Sequence, residues 1–267
     1  MSLVTATLSW SVLRRSSVRA AAAFVFPSRC LACERAPLRR FLRGGVCEGC
    51  WASVPLADGQ RCRGCDEALA ASESEVCGRC IVDPPAFASL RAAAPYRGTA
   101  RDILLAFKFR GADFLAPRIA ALMTERLAAP RTGASLERRS ASPPDGQVVA
   151  VPGRRATSGK YSPSLLLGAT VAARLGLPFL TRGITRARAA DRQSGVAAAR
   201  RARNVRGAFR AAPVAGDVLL VDDVATSGAT VRECARALRR AGADRVDVWC
   251  FARASRMELA GAAGEDV

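Results

Sequence analysis

The stretch VLLVDDVATSGAT, from Val218 to Thr230, decides the fold because it joins an apolar strand, two acids and a hydroxyl-rich turn. Its four leading apolar residues suit a strand that is buried on both faces, as in a parallel sheet. Behind the turn, Val231 and Leu238 recur at helical spacing. Such a turn aims backbone N–H groups, hydroxyls and a helix N-terminus at one point, which favours an anion there. The stretch therefore predicts a phosphate-binding loop between a parallel strand and a helix.

The alternative is an ordinary strand-turn-helix corner in which Asp223 or Thr226 only caps the helix. Capping requires one side chain, whereas here two acids precede a turn of small and hydroxyl residues. The stretch differs from the GxGxxG dinucleotide fingerprint and from the Walker loop, which would end in GK[ST]. It closely resembles the signature of type I phosphoribosyltransferases, which bind 5-phosphoribosyl 1-pyrophosphate (PRPP): an apolar strand, two acids and a T-[ST]-G-x-T loop.

Strand and helix patterns alternate along the chain on both sides of this stretch. The predicted strands are 88–96, 147–151, 178–181, 218–223 and 246–252. The predicted helices are 99–109, 114–128, 163–175 and 229–240. This alternation is typical of βαβ units and a parallel sheet. Residues 130–146 lack periodicity and are rich in Pro, Ser and Gly, which predicts a mobile surface loop.

Eight cysteines in the first third of the chain form four CxxC motifs. They are Cys30 and Cys33, Cys47 and Cys50, Cys62 and Cys65, and Cys77 and Cys80. Each motif can place two sulfurs on one ion, and two motifs complete a tetrahedral zinc site with four thiolate ligands. Sequential pairing makes two tandem zinc ribbons, and interleaved pairing makes a cross-brace. The short spacers of 13, 11 and 11 residues favour the ribbons.

Disulfides and redox catalysis are the alternatives for these cysteines. Regular CxxC spacing without a secretory context favours metal binding in a reducing compartment over a disulfide framework. A thioredoxin-type site requires one CxxC motif, whereas this chain has four. We therefore expect two structural Zn2+ ions. Cys234 and Cys250 occupy apolar positions and are predicted to be plain core residues.

Three segments are predicted along the 267 residues: an N-terminal docking helix over 1–27, a double zinc ribbon over 28–85 and, from the resemblance above, a phosphoribosyltransferase-like domain over 86–267. Arginines in the middle of the first segment argue against a signal peptide. No run approaches the roughly 20 apolar residues of a membrane span. A cytoplasmic location is therefore expected.

The chain is strongly basic, with a formal charge of +18 that comes almost wholly from arginine. Eight thiolates on two divalent zinc ions would lower this sum by four, to +14. Such a field favours phosphates, nucleic acid or acidic surfaces, although solvated arginines from a biased composition would give the same sum. The chain has no histidine. This excludes a histidine general base, Ser/His and Cys/His nucleophilic sites, and histidine metal ligands.

Read in order, the chain resembles the ComF family over nearly its whole length. The resemblance lies in the four CxxC motifs, FKFRG, a V-x-V-P strand end, the R-x-R…Q…R…N-V-x-G-x-F segment and VDDVATSGAT. It implies a type I phosphoribosyltransferase-like parallel sheet flanked by helices, preceded by a small double zinc-ribbon module with four cysteines per zinc. Family members are linked to competence and DNA uptake.

The resemblance also implies a function. A phosphoribosyltransferase, which is a pentosyltransferase, would bind Mg2+-PRPP and displace pyrophosphate from ribose C1. The alternative is a non-catalytic accessory protein that senses PRPP or a nucleotide and binds single-stranded DNA. A competence helicase is a further expected partner, and an oligomer is compatible with either activity.

Site residues follow by position from the same resemblance. Asp222 and Asp223 would be the catalytic pair at the ribose hydroxyls and the metal-bound sugar. The PRPP-binding residues would be Val224, Ala225, Thr226, Ser227, Gly228, Ala229 and Thr230. A basic flexible loop over about 182–210, with Lys108 of the K-[YF]-x-G motif, would contribute the pyrophosphate-side residues Arg186, Arg188, Gln193, Arg201 and Asn204.

Three further cations follow from the position of the 147–151 strand. Ligands of open α/β sheets bind beyond the carboxyl ends of the strands, so Arg154, Arg155 and Lys160 lie where a second anionic group would be held. They are solvated loop residues in the alternative interpretation. In this loop, Gly159 and Lys160 replace the family's Arg-Gly, and Ser162 replaces its Asn or Asp.

Overall fold

The structure is a computed structural model, and it describes residues 28–35, 37–38, 45–57, 59–70, 74–128, 146–153, 162–186 and 207–255. The predicted docking helix over 1–27 lies outside these residues, as does nearly all of the predicted mobile loop over 130–146.

Nine strands and six α-helices are present in the described residues. In chain order the strands are β1 (Ser28–Arg29), β2 (Pro37–Leu38), β3 (Ser89–Pro95), β4 (Gln147–Ala150), β5 (Phe179–Leu180), β6 (Ile184–Arg186), β7 (Phe209–Ala211), β8 (Asp217–Ala225) and β9 (Arg245–Arg253). The helices are α1 (Glu48–Ala52), α2 (Gly78–Val82), α3 (Gly98–Phe109), α4 (Ala116–Leu127), α5 (Pro163–Leu175) and α6 (Ala229–Arg240). A 3-10 turn, Asp113–Leu115, leads into α4.

Five strands form one sheet in the order β3-β9-β8-β4-β5, and every neighbouring pair is parallel. The central strand β8 carries an unbroken apolar run, and its side chains alternate between two hydrophobic clusters. Leu219 and Val221 pack on the face that α3, α4 and α5 cover. Val218 and Leu220 pack on the face that α6 covers. Helices cover both faces of the sheet and bury its central strands, as is typical of parallel sheets.

The predicted fold class is confirmed: a parallel sheet flanked by helices follows a module with two four-cysteine groups. Helix α6 has the predicted bounds, and α5 begins at the predicted Pro163, which suits the first turn of a helix. One feature was not predicted. β6 and β7 pair antiparallel as a separate two-stranded sheet, so the described ends of the predicted 182–210 loop are strands.

The module that carries the eight cysteines packs along β3, an edge strand of the sheet. The Leu90 N–H donates to the Gly64 carbonyl (2.8 Å), and the Ala92 N–H donates to a carboxylate oxygen of Asp66 (2.9 Å). These bonds satisfy N–H groups that an edge strand would otherwise leave unpaired. Cys30 and Trp51 belong to one hydrophobic cluster and Cys62 belongs to the other. The module therefore straddles the sheet, with one cysteine group on each face.

Among the residues that the structure describes, no helix combines the length and apolar character that crossing a membrane requires.

Candidate functional site

The loop of residues 226–230 lies between the end of β8 and the start of α6. Gly228, just before α6, has a left-handed backbone with φ of 73°, which glycine adopts without steric cost. Thr226 and Ser227 are exposed. Within the described part of the chain, the N–H groups of Thr226, Ser227 and Gly228 donate to no protein acceptor. The loop thus presents three open N–H donors beside a helix N-terminus, an arrangement that suits an anion.

Asp222 and Asp223 lie near the carboxyl end of β8, and both are buried. The Ser164 hydroxyl, in the first turn of α5, donates to Asp222 Oδ1 (3.1 Å). The Asp223 N–H donates to the same oxygen (2.9 Å). These bonds fix the Asp222 carboxyl at the edge of the sheet. Ser164 was not among the predicted residues, although its position in the first helical turn after a site loop is the local signal for it.

Lys108 reaches the acids from the last turn of α3. Its Nζ lies 2.8 Å from Asp223 Oδ1, and its side chain is only 22% exposed. The family resemblance groups this lysine with the pyrophosphate-side residues, and in the structure it is the counterion of the second acid. A mobile ammonium beside a carboxylate can exchange partners when an anionic ligand enters.

The two acids share one poorly solvated site, and this affects the protonation of Asp222. Burial raises the pKa of Asp222 well above its ordinary value, and the neighbouring charge of Asp223 raises it further. The Lys108 ammonium acts in the opposite direction but does not cancel the rise. Asp222 is therefore poised to lose a proton when a cation, such as a metal ion or a developing oxocarbenium, comes close.

The loop that was predicted beyond the 147–151 strand, with its three cations, begins and ends at the same edge of the sheet as the two acids. β4 ends at Ala150, and a Cβ placed on Gly153 would come within 2.8 Å of Ser162 Oγ. This hydroxyl oxygen is buried, and no partner is found for it among the described residues. The three predicted cations between these ends, Arg154, Arg155 and Lys160, lie outside the described residues.

One of the five site residues predicted in the basic loop is described. Arg186 lies on β6, and its guanidinium carbon is 4.7 Å from the centroid of the Phe209 ring on β7. The remaining predicted residues of this loop lie outside the described part of the chain: Arg188, Gln193, Arg201 and Asn204.

The eight cysteines form two groups in sequential order, as the ribbon hypothesis predicts. One group is Cys30, Cys33, Cys47 and Cys50, and the other is Cys62, Cys65, Cys77 and Cys80, with the four sulfurs of each group within 4.8 Å of one another. Sulfurs about 2.3 Å from a tetrahedral Zn2+ ion are separated by about 3.8 Å. The observed separations are 3.8 Å for Cys30 to Cys50 and 3.6 Å for Cys65 to Cys77. Both groups fit structural zinc, and the cross-brace pairing is wrong.

The two groups are built alike. In each, the N–H of the third cysteine donates to the sulfur of the first, at 3.3 Å from Cys47 to Cys30 and at 3.2 Å from Cys77 to Cys62. Burial alone raises the pKa of Cys62, but N–H groups of Cys77, Cys65 and Gly64 lower it to about 7. Backbone N–H groups thus stabilise the thiolate that zinc requires.

The second cysteine group lies directly against the 226–230 loop. Residues of both line a cavity of about 190 Å³. Its walls include Cys77, Arg79, Ser227, Arg232 and Arg253. The Arg232 guanidinium, in the first turns of α6, donates to Cys80 Sγ (3.3 Å). None of these arginines was predicted as a site residue. The one local signal is for Arg253, a charged residue that directly follows the apolar run VWCFA at the end of β9.

Comparison with known proteins identifies relatives over most of the chain. Residues 21–81 match the double zinc ribbon domain family. The DNA utilization protein YhgH of Salmonella typhimurium is 34% identical over 233 residues, which cover 85% of this chain and 97% of that protein. YhgH of Escherichia coli K12 is 34% identical over 78% of this chain and 90% of that protein. Competence protein F of Haemophilus influenzae is 26% identical over 86% of this chain and 98% of that protein.

The solved structures that match this chain share less of its sequence than the relatives above do. The glutamine PRPP amidotransferase from B. subtilis has a TM-score of 0.37 and 20% identity, over 55% of this chain and 30% of that chain. Orotate phosphoribosyltransferase from Aeropyrum pernix has a TM-score of 0.30 and 19% identity, over 61% of this chain and 71% of that chain.

Proposed function

The chain belongs to the ComF family, that of the competence and DNA utilization proteins, and from this premise we propose that it binds Mg2+-PRPP and transfers its phosphoribosyl group. One observation carries the proposal. The open N–H groups of the 226–230 loop stand directly after two buried acids with a lysine counterion. An anion and a developing cation would therefore find complementary groups only a few residues apart.

The 226–230 loop would hold the 5-phosphate of PRPP. Its three open N–H groups and the N-terminus of α6 favour a dianion, and the Ser227 and Thr230 hydroxyls add donors. Asp222 and Asp223 would then face the ribose hydroxyls, because they lie just before the loop on the same strand. This orientation places C1 of the sugar away from the loop, where the ends of the 154–161 segment meet.

In the reaction, a nitrogen nucleophile forms a bond to C1 as the bond from C1 to the pyrophosphate oxygen breaks. The proton that the nitrogen loses passes to the pyrophosphate or to solvent. Positive charge builds on the ribose in the transition state, and ionised Asp222 and Asp223 stabilise it. The chain has no histidine, and this electrostatic mechanism requires none.

Magnesium fits the donors that the site offers, since carboxylates are the hard oxygen ligands it prefers. Bound to pyrophosphate beside the two acids, it would neutralise charge on the leaving group.

Calorimetric titration with Mg2+-PRPP and an assay of pyrophosphate release with candidate nitrogen acceptors test the proposal. The wild type should bind and release pyrophosphate, and the D222N/D223N double variant should fold but do neither. Equal PRPP-induced thermal stabilisation of both proteins would refute the site.

A second function, the binding of single-stranded DNA, is favoured by the charge of +18 and by the similarity to proteins named for DNA utilization and competence. In this version PRPP or a nucleotide regulates DNA handling and no transfer occurs. Binding of PRPP without pyrophosphate release under any acceptor, together with DNA binding, would select it.

A further inference from the structure

We propose that Arg79 and Arg253 are positioning residues through which the second cysteine group sets the shape of the 226–230 loop, so that loss of its zinc weakens phosphate binding. This inference rests on the proposed function, because it assumes that the loop binds a phosphate. It assigns the ribbon a role in the site itself, beyond covering the edge of the sheet.

Arg253 makes the most extensive contacts with the loop. It is buried, and its Nη1 donates to the carbonyl oxygens of Ala225 (3.0 Å) and Thr226. On the other side, its Nε donates to the Cys65 carbonyl (3.1 Å) and its Nη2 contacts Glu67 (2.8 Å). One guanidinium thus joins the second cysteine group to the start of the loop.

Arg79 makes a parallel contact from the ribbon. It lies in α2, between Cys77 and Cys80, and its Nη1 donates to the Ser227 carbonyl (2.6 Å). Because both flanking cysteines are zinc ligands, the position of Arg79 depends on the metal. Together the two arginines hold three consecutive carbonyls, those of Ala225, Thr226 and Ser227.

Peptide geometry explains why holding these carbonyls matters. In a planar trans peptide the C=O of one residue and the N–H of the next point in opposite directions. The three held carbonyls are those of the peptides whose N–H groups belong to Thr226, Ser227 and Gly228, the open donors of the loop. Fixing the carbonyls on the ribbon side therefore aims the N–H groups at the opposite side. The guanidinium charges also polarise these peptides, which strengthens the N–H donors.

The first cysteine group provides an internal comparison, because it contacts other parts of the domain. Arg126 of α4 donates to the carbonyls of Val54 (3.0 Å) and Ala93 (2.9 Å), next to the first group. Ser53 and Thr99 hydroxyls are 2.9 Å apart at the start of α3. These contacts join the first group to the opposite face of the sheet.

Titration of the full-length protein with ribose 5-phosphate tests the arginines, since this probe lacks pyrophosphate and engages only the loop and the two acids before it. R79M and R253K should weaken binding about tenfold or more, the equivalent of about 1.4 kcal/mol. R79K should recover most of the loss, because the contact with Ser227 uses a single donor. R253K should not, because several acceptors surround that side chain. The matched control is R63M on the same ribbon, where an exposed Arg63 pairs with Glu75, and it should bind like the wild type.

Cysteine variants test the zinc dependence. The wild type should contain about two zinc ions per chain, and C47S and C77S should each lose about one. Ribose 5-phosphate affinity should fall in C77S, which opens the second group, and change less than twofold in C47S, which opens the first. Amide 15N shifts of residues 226–228 should move in C77S and R79M and stay unchanged in R63M.

The outcomes separate this inference from the function it rests on. If the wild type binds ribose 5-phosphate and R79M, R253K and C77S bind it equally well, the inference falls and the proposed function stands. If the wild type binds neither ribose 5-phosphate nor Mg2+-PRPP, both fall. R79M keeps the test decisive even if R253K fails to fold, because Arg79 lies at the surface of the ribbon.

Discussion

Asp222 is a carboxyl group in a place where ionisation is costly, and this gives the protein a pH-dependent stability. Its pKa is raised in the folded state, chiefly by burial. Between the ordinary carboxyl pKa of about 3.9 and the raised value, the folded state binds more protons than the unfolded state. By linkage the free energy of unfolding then falls as pH rises through this window. The contribution of Asp222 is therefore fully present below the ordinary carboxyl pKa and is lost as pH rises through the raised pKa.

We expect Asp222→Asn to raise the melting temperature at pH 8 and to leave it nearly unchanged at pH 4. Asparagine keeps an oxygen that accepts the bonds from Ser164 and from the Asp223 N–H, so the geometry is retained. Thermal denaturation across pH 4–8 measures the effect, with Ser164→Ala as a control that removes one bond and leaves the acid. A D222N protein that is less stable than the wild type at pH 8 would contradict a raised pKa.

Lys108 and Asp223 form an ion pair whose partners differ in burial, with 22% and 8% of the side chain exposed. Lys108→Met leaves the Asp223 carboxylate without its counterion, and we expect a loss of about 1–3 kcal/mol in the free energy of unfolding. The double variant K108M/D223N should recover part of this loss, because the buried charge is then absent. Urea denaturation of the four proteins of this double-mutant cycle gives the coupling energy, and strict additivity would argue against the pair.

Some residues of the site could be predicted from the sequence and others could not, for a physical reason. Asp222, Asp223 and the 226–230 loop form a local signature, since strand end, acids and turn lie within 13 residues. Arg79 donates to a carbonyl that lies 148 residues later in the chain. Arg253 donates to residues 65 and 67, which lie 188 and 186 residues earlier. Only the packing of the ribbon against the sheet brings these groups together, so no pattern along the chain shows that either arginine contacts the loop.

At the scale of elements, the strand-loop-helix unit from β8 to α6 depends on the backbone of one glycine. A Cβ on Gly228 would meet nothing closer than Val231 Cγ2 at 3.9 Å, but its φ of 73° strains any L side chain. We expect Gly228→Ala to cost about 1 kcal/mol of stability through backbone strain alone. Gly228→Asn, which tolerates this conformation better, should cost less.

The same pair of variants tests the loop as a ligand site. The left-handed turn at residue 228 is expected to aim the N–H groups of the loop. G228A should therefore weaken ribose 5-phosphate binding by more than G228N does. Equal stability of G228A and the wild type, measured by urea denaturation, would show that the turn relaxes at no cost.

The elements that were predicted well are those with a strong periodic pattern or an end signal. β8 contains a run of four apolar residues from Val218 to Val221, α5 starts at a proline, and α6 follows a glycine turn. β6 and β7 were missed because each has three residues and lies in an arginine-dense segment that dilutes any alternation. Their stability comes from pairing with each other and from contacts such as Phe209 with Arg186, which are long-range features.

At the scale of the whole molecule, the positive charge that sums to +18 is spread unevenly along the chain. Exposed arginines on and near the ribbons have acidic partners: Arg63 with Glu75, Arg110 with Glu34 and Arg118 with Glu48. The segment from Arg182 to Arg210 instead contains nine arginines and one acid, Asp191. A polyanion would therefore meet a greater excess of positive charge in this segment than on the ribbons.

We expect single-stranded DNA to bind this segment with an affinity that falls steeply with salt. Each phosphate contact adds about −0.7 to the slope of log K against log salt for a single strand. Replacing Arg200, Arg201 and Arg203 by glutamine should thus make the slope shallower by about 2. Fluorescence anisotropy with a labelled oligonucleotide between 50 and 300 mM salt, roughly the range in which such slopes are resolved, measures it.

The control carries the same change of charge at a different place. R63Q/R110Q/R118Q also removes three positive charges, but each of these arginines already has an acidic partner, so the slope should stay near that of the wild type. If both triple variants flatten the slope equally, DNA responds to the net charge of the molecule and not to the basic segment. If only the basic segment matters, and added Mg2+-PRPP changes DNA affinity in the wild type but not in D222N/D223N, PRPP binding and DNA binding are coupled in one molecule.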